Sequence, residues 1–208
     1  DPACINREDK IDIKPGSCPN SMRLKCTGVL PAAILGTDDL DVSTIDPGTI
    51  LITREEVVGG VPVIRHSYED VGTPFEGELC GCHTLRKDGY MDLTLKFMVG
   101  DVVEELMLYE FDDRETSPLT IVGKTYDGTS IRGNDCIRII GELQQECNSD
   151  LDCDADVDGS DAALFKEEFG RTNCKKIDPC FADFQNDGDV DGDDVFTFKS
   201  EFGRLLLQ

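Results

Sequence analysis

Two acidic runs, Asp150-Leu-Asp-Cys-Asp-Ala-Asp-Val-Asp-Gly-Ser-Asp161 and Asp183-Phe-Gln-Asn-Asp-Gly-Asp-Val-Asp-Gly-Asp-Asp194, hold the side chains with the clearest capacity for chemistry. They align without a gap at a period of 33 residues, from Asp150 to Asp183. Calcium is a hard cation that takes about six to eight oxygens, and a twelve-residue loop presents them at positions 1, 3, 5, 7, 9 and 12. Asp150, Asp152, Asp154, Asp156, Asp158 and Asp161 stand there in the first run, and Asp183, Gln185, Asp187, Asp189, Asp191 and Asp194 in the second. Position 7 lends its backbone carbonyl and position 9 acts through water, so the side chains at 1, 3, 5 and 12 are the strongest candidates. Gly188 fills the sharp-turn position 6, where the first run has Ala155, a substitution expected to strain or weaken that site. Aspartate rather than glutamate at position 12 shortens the bidentate reach.

The elements that must hold these runs follow at once. The repeat continues through Phe165 and Phe198, Lys166 and Lys199, and the endings Phe169-Gly170-Arg171 and Phe202-Gly203-Arg204. A solvated charge run has no reason to keep aromatic residues in phase. The pattern predicts a helix over Ser160–Phe169 and another over Asp193–Phe202, each stopped by a glycine. Phe165 with Phe169, and Phe198 with Phe202, lie one turn apart, so the two aromatic stripes are expected to face each other as a small core. A calcium loop followed by one helix, repeated twice, resembles the dockerin-type modules of bacterial secreted proteins. That resemblance covers about residues 146–208 and implies two calcium ions holding the module together. Some members of that family dock onto cohesin domains; the extra cysteines and the Phe-Gly-Arg endings depart from it.

Residues 1–145 read as short apolar runs broken by turn signals, the pattern of a β-sandwich. The strand candidates are Ile11–Lys14, Gly28–Leu35, Thr49–Thr53, Val61–His66, Met91–Val99 and Cys136–Ile140, with a helix at Gly100–Tyr109. The expected fold is mainly β: a sandwich over 1–145, then a small α-helical module over 146–208 with two EF-hand-type loops. Ile11-Asp-Ile-Lys-Pro-Gly-Ser17, Gly28-Val-Leu-Pro-Ala-Ala-Ile-Leu-Gly36, Asp41-Val-Ser-Thr-Ile-Asp-Pro-Gly48, Arg65-His-Ser-Tyr-Glu-Asp70 and Asp88-Gly-Tyr-Met-Asp-Leu-Thr-Leu-Lys-Phe97 are similar to a β-rich module recurring in secreted bacterial and archaeal proteins. That likeness implies fold and compartment and no enzymatic activity. Glu69, Asp70, Asp88 and Asp92 carry two readings, a third calcium site between strands and two ordinary polar turns, the turns being favoured. Alternation along the strand puts Met91, Leu93, Leu95 and Phe97 on one face and aims Asp92 at solvent or a surface ion.

Ten cysteines point to disulfides and an oxidising compartment outside the cell; a zinc site at Cys80, Cys82 and His83 has only His66 to complete it. Cys147, Cys153, Cys174 and Cys180 are expected to pair among themselves and staple the small module. The net charge of −23, from 43 acidic and 20 basic residues, argues against nucleic acid as a partner. No run reaches the about 18 apolar residues of a membrane span, and the start, Asp1-Pro2-Ala3-Cys4, reads as that of a processed, soluble chain. No GxSxG, HExxH or phosphate loop stands out, so a non-catalytic role is expected. The expected function is a secreted calcium-binding structural protein that assembles with copies of itself into a fibre or surface layer. The terminal Leu205-Leu206-Leu207-Gln208 motivates the assembly. The alternative is an adaptor or binding module, through dockerin-like docking to another secreted protein or through carbohydrate, although no Trp and only four Tyr are present for sugar stacking.

Overall fold

The computed structural model describes residues 8–81, 83–141, 148–174 and 179–205. Nine strands form in chain order: β1 (Ile11–Ile13), β2 (Ser21–Arg23), β3 (Val29–Ile34), β4 (Ile45–Thr53), β5 (Val61–Pro62), β6 (Arg65–Glu69), β7 (Asp92–Met98), β8 (Thr116–Thr125) and β9 (Ser130–Ile140). They make a four-stranded sheet, β1-β3-β7-β6, and a five-stranded sheet, β2-β9-β8-β4-β5. Alternation decides what lies between the sheets: Leu93, Leu95 and Phe97 of β7 meet Ile50, Ile52, Leu119, Ile121, Ile137 and Ile139 of the other sheet in one buried cluster. Helix α1 (Val99–Glu105) and a 3-10 turn at Leu108–Glu110 close one end with Val102, Leu106 and Leu108. The helix predicted over Gly100–Tyr109 breaks because Met107 takes a left-handed conformation, φ 55°.

Two sequence expectations need correction, and a third, left with two readings, takes the favoured one. The strand read over Val61–His66 is two strands in different sheets, Val61 pairing with Ile52 and Arg65 with Lys96, because the chain turns the sandwich corner at Val63-Ile64. Met91 is exposed and Asp92 is buried: the Asp92 carboxylate turns inward and accepts the backbone N–H groups of Gly36, Val71 and Gly72. Glu69, Asp70 and Asp88 do not gather with it. Glu69 pairs with Lys87, Asp70 accepts from the N–H groups of Asp88 and Gly89, and Asp88 from that of Tyr90, so these are polar turns.

Asp12 on β1 is almost fully buried, and its Oδ2 has no hydrogen-bond partner. Burial, then the charges of Asp135 and Asp92, push its carboxyl up to about 7. The folded state therefore holds the proton more tightly than the unfolded chain, and the stability this confers is lost as pH rises from about 4 through about 7. Asp12→Asn is expected to match wild type near pH 4 and to exceed it at pH 8 by on the order of 4 kcal/mol. Urea unfolding of both proteins across that range checks it; a pH-independent difference would refute the assignment.

Candidate metal centre

Helix α2 (Gly159–Glu168) and helix α3 (Gly192–Glu201) follow the two acidic loops. Asp158 and Asp191, at loop position 9, are the helix N-caps, and Asp161 and Asp194, at position 12, complete a capping box in each. The end of every loop is thereby tied to the start of its helix. Gly170 and Gly203 end the helices with φ of 85° and 84°. Phe165 and Phe198 pack with ring centroids 5.0 Å apart and are buried, whereas Phe169 and Phe202 are half exposed, so only the first residue of each stripe enters the core.

Inside the loops the same hydrogen bonds recur at the repeat spacing. Asp150 accepts from the N–H groups of Asp154 and Ala155, at 2.9 and 3.1 Å. Asp183 does so from Asp187 and Gly188, at 3.1 and 3.0 Å. Asp161 accepts from Leu151 N–H at 2.7 Å and Asp158 N–H at 2.8 Å; Asp194 does the same from Phe184 at 2.8 Å and Asp191 at 2.9 Å. These bonds bend each loop around its own carboxylates. At position 6 the backbone is left-handed in both, φ 79° at Ala155 and 103° at Gly188. Alanine pays a strain of about 1 kcal/mol there that glycine does not.

Oxygen ligands gather most closely in the first loop. Asp150, Asp152 and Asp154 offer oxygens within 4.8 Å of one another, and so do Asp156, Asp158 and Asp161. Asp156 Oδ1 accepts no hydrogen bond. Burial and then the charge of Asp152 raise the Asp161 carboxyl; burial likewise raises Asp150 and Asp152, each also repelled by Asp154. Crowded carboxylates with free lone pairs and an all-oxygen donor set fit a hard divalent cation such as calcium and not zinc. The second loop is more open: Gln185 and Asp187 are exposed, and Asp183 and Asp189 are half-buried. Asp189 is raised by slight burial and by Asp187, Asp191 and Asp183.

The loops differ because the sandwich covers only the first. Val29 N–H bonds Leu151 O at 2.9 Å, an approach open only because residue 28 is glycine: a Cβ there would lie 2.1 Å from Leu151 O. Lys14 Nζ reaches Asp152 Oδ1 at 3.2 Å and Asp154 Oδ2 at 3.5 Å, and Arg23 reaches Asp150 Oδ2 at 2.9 Å. Further along, Arg65 pairs with Glu168 and Lys96 with Glu167. Every cross-pair named here has its cation on the sandwich and its anion on the module. Reading the sequence missed Lys14 and Arg23, since a contact across 138 residues leaves no mark in local spacing.

The disulfides differ from the expected pairing as well. Cys153 bonds Cys26 of the sandwich, and only Cys174–Cys180 stays within the module; Cys147 lies outside the described residues. Cys153 sits at loop position 4 with its side chain in the sandwich core. Cys80 bonds Cys136, so it is not a zinc ligand, and each of the seven described cysteines is disulfide-bonded. Among the described residues no helix is long and apolar enough to cross a membrane.

No family model matches this chain, and no curated protein matches it either.

Proposed function

We propose that this chain is a secreted, calcium-binding structural protein without catalytic activity, the C-terminal loops holding the ions and the disulfides fixing module to sandwich. The observation that carries the reading is the duplicated loop scaffold, in which Asp150 and Asp161 make the same backbone bonds as Asp183 and Asp194. Loops bent so that their carboxylates repel one another cost stability unless a cation joins them. Disulfide-rich construction supports an extracellular place. Copies of the chain are the partner that suits a structural role. Leu205, bridged to Asp156, is 62% exposed, and β6 offers an open sheet edge. Residues 206–208 lie outside the described residues.

Calorimetric titration with calcium tests the site, and light scattering on the same samples tests the assembly. Saturable heat is expected, lost in Asp150→Ala/Asp183→Ala, together with masses above the monomer in calcium. Absence of heat would remove calcium from the reading; a monomer at every calcium concentration would remove self-assembly and favour the adaptor role.

A further inference from the structure

We infer that the Lys14 ammonium is the resident cation of the first loop, so that calcium binds tightly at the second loop alone. This rests on the calcium reading above and sets its stoichiometry. Lys14 is among the most buried side chains of the protein, 2% exposed, which an ammonium tolerates only with dense compensation. That compensation is four oxygens: Ser21 O at 2.9 Å, Asp152 O at 3.0 Å, Asp152 Oδ1 at 3.2 Å and Asp154 Oδ2 at 3.5 Å. Two of them are the side chains at loop positions 3 and 5, which a calcium ion would need. Arg23 takes a third such carboxylate, at position 1.

The backbone is bent to deliver the amine. Lys14 stands at φ 58°, a left-handed conformation that costs a lysine energy, immediately after β1 and before the Pro15-Gly16 turn. Asp150, Asp152 and Asp154 of the first loop offer oxygens within 4.8 Å of one another beside this amine, whereas among the described residues the second loop has no such group of three. Among the described residues no basic side chain pairs with a carboxylate of the second loop, whose position 3 is Gln185. A divalent ion entering the first loop would meet a fixed positive charge at contact distance. Expelling Lys14 would strip the buried Asp152 carbonyl and the part-buried Ser21 carbonyl of a donor. The second loop presents neither obstacle.

The test compares matched isosteric variants in the full chain, with calcium chloride alone as the probe. Wild type is expected to take one tight equivalent. Asp187→Asn, at position 5 of the second loop, is expected to weaken it by about tenfold or more, while Asp154→Asn, the same position in the first, leaves it unchanged within about twofold. Lys14→Met, which keeps length and removes charge, is expected to add a second tight equivalent. Equal losses in Asp154→Asn and Asp187→Asn, a larger loss in Asp154→Asn, or no added equivalent in folded Lys14→Met would each overturn the proposal. Should Lys14→Met not fold, the two Asn variants decide alone. No calcium heat in any protein, wild type included, would instead dispose of the calcium reading itself.

Discussion

Replacing Cys26 and Cys153 together by serine is expected to cost about 4–5 kcal/mol of stability and to lower the unfolding temperature by roughly 10–20 °C. The bridge spans 127 residues, and closing so long a loop removes much of the freedom of the unfolded chain. Cys174–Cys180 spans only 6, so its removal is expected to cost about 2 kcal/mol, and the pair of variants makes an internal comparison. The longer bridge also holds loop position 4 against the sandwich, where Arg23 N–H bonds Cys153 O at 2.7 Å. Thermal unfolding of the two double variants in calcium is the measurement. Equal losses would mean that loop closure is not what the long bridge contributes.

Chelation is expected to open the second loop while leaving the sandwich folded. At a thousandfold excess over its Kd, calcium adds about 4 kcal/mol to the state that binds it, which in a chain of this size is roughly 10 °C of unfolding temperature. The loss should be local. The N–H groups of Phe184, Asp187, Gly188 and Asp191, held by Asp183 and Asp194, are expected to exchange with solvent rapidly once the crowded aspartates lose their cation. Those of β8 and β9, paired from Thr116 with Arg138 to Lys124 with Ser130, should stay protected. Identical exchange maps in calcium and in chelator would show that the loops are held by protein alone.

What the sequence disclosed follows the range of the forces involved. The loops, their helices and the glycine stops were readable because caps, turns and helix faces are local, set by residues within four positions of one another. The strands with clean alternation, such as β7, were readable for the same reason. β8 was not, since Pro118, Gly123 and four threonines and serines disguise a strand whose ten residues are fixed by pairing with β4 and β9. β2 was not either: its three residues carry no pattern and exist as a strand only beside β9. In the candidate site, spacing disclosed the carboxylates but not what neutralises them. Lys14 and Arg23 arrive from more than a hundred residues away, and Cys153 leaves the module for a partner that composition alone could not choose.

The Cys26–Cys153 bond also sets how the chain answers a pull on its two ends. Tension entering along the segment before Cys26 can leave through the sulfur atoms to Cys153, bypassing the 127-residue stretch between them. At about 3.5 Å per residue, some 440 Å of contour is thereby kept from paying out even if every strand of the sandwich melts. What remains extensible is the stretch ahead of Cys26 and the part after Cys153, which holds the second acidic loop and both helices. Under load the protein would therefore behave as a tether with a stiff, inextensible middle, its give confined to the segments on either side of the bridge.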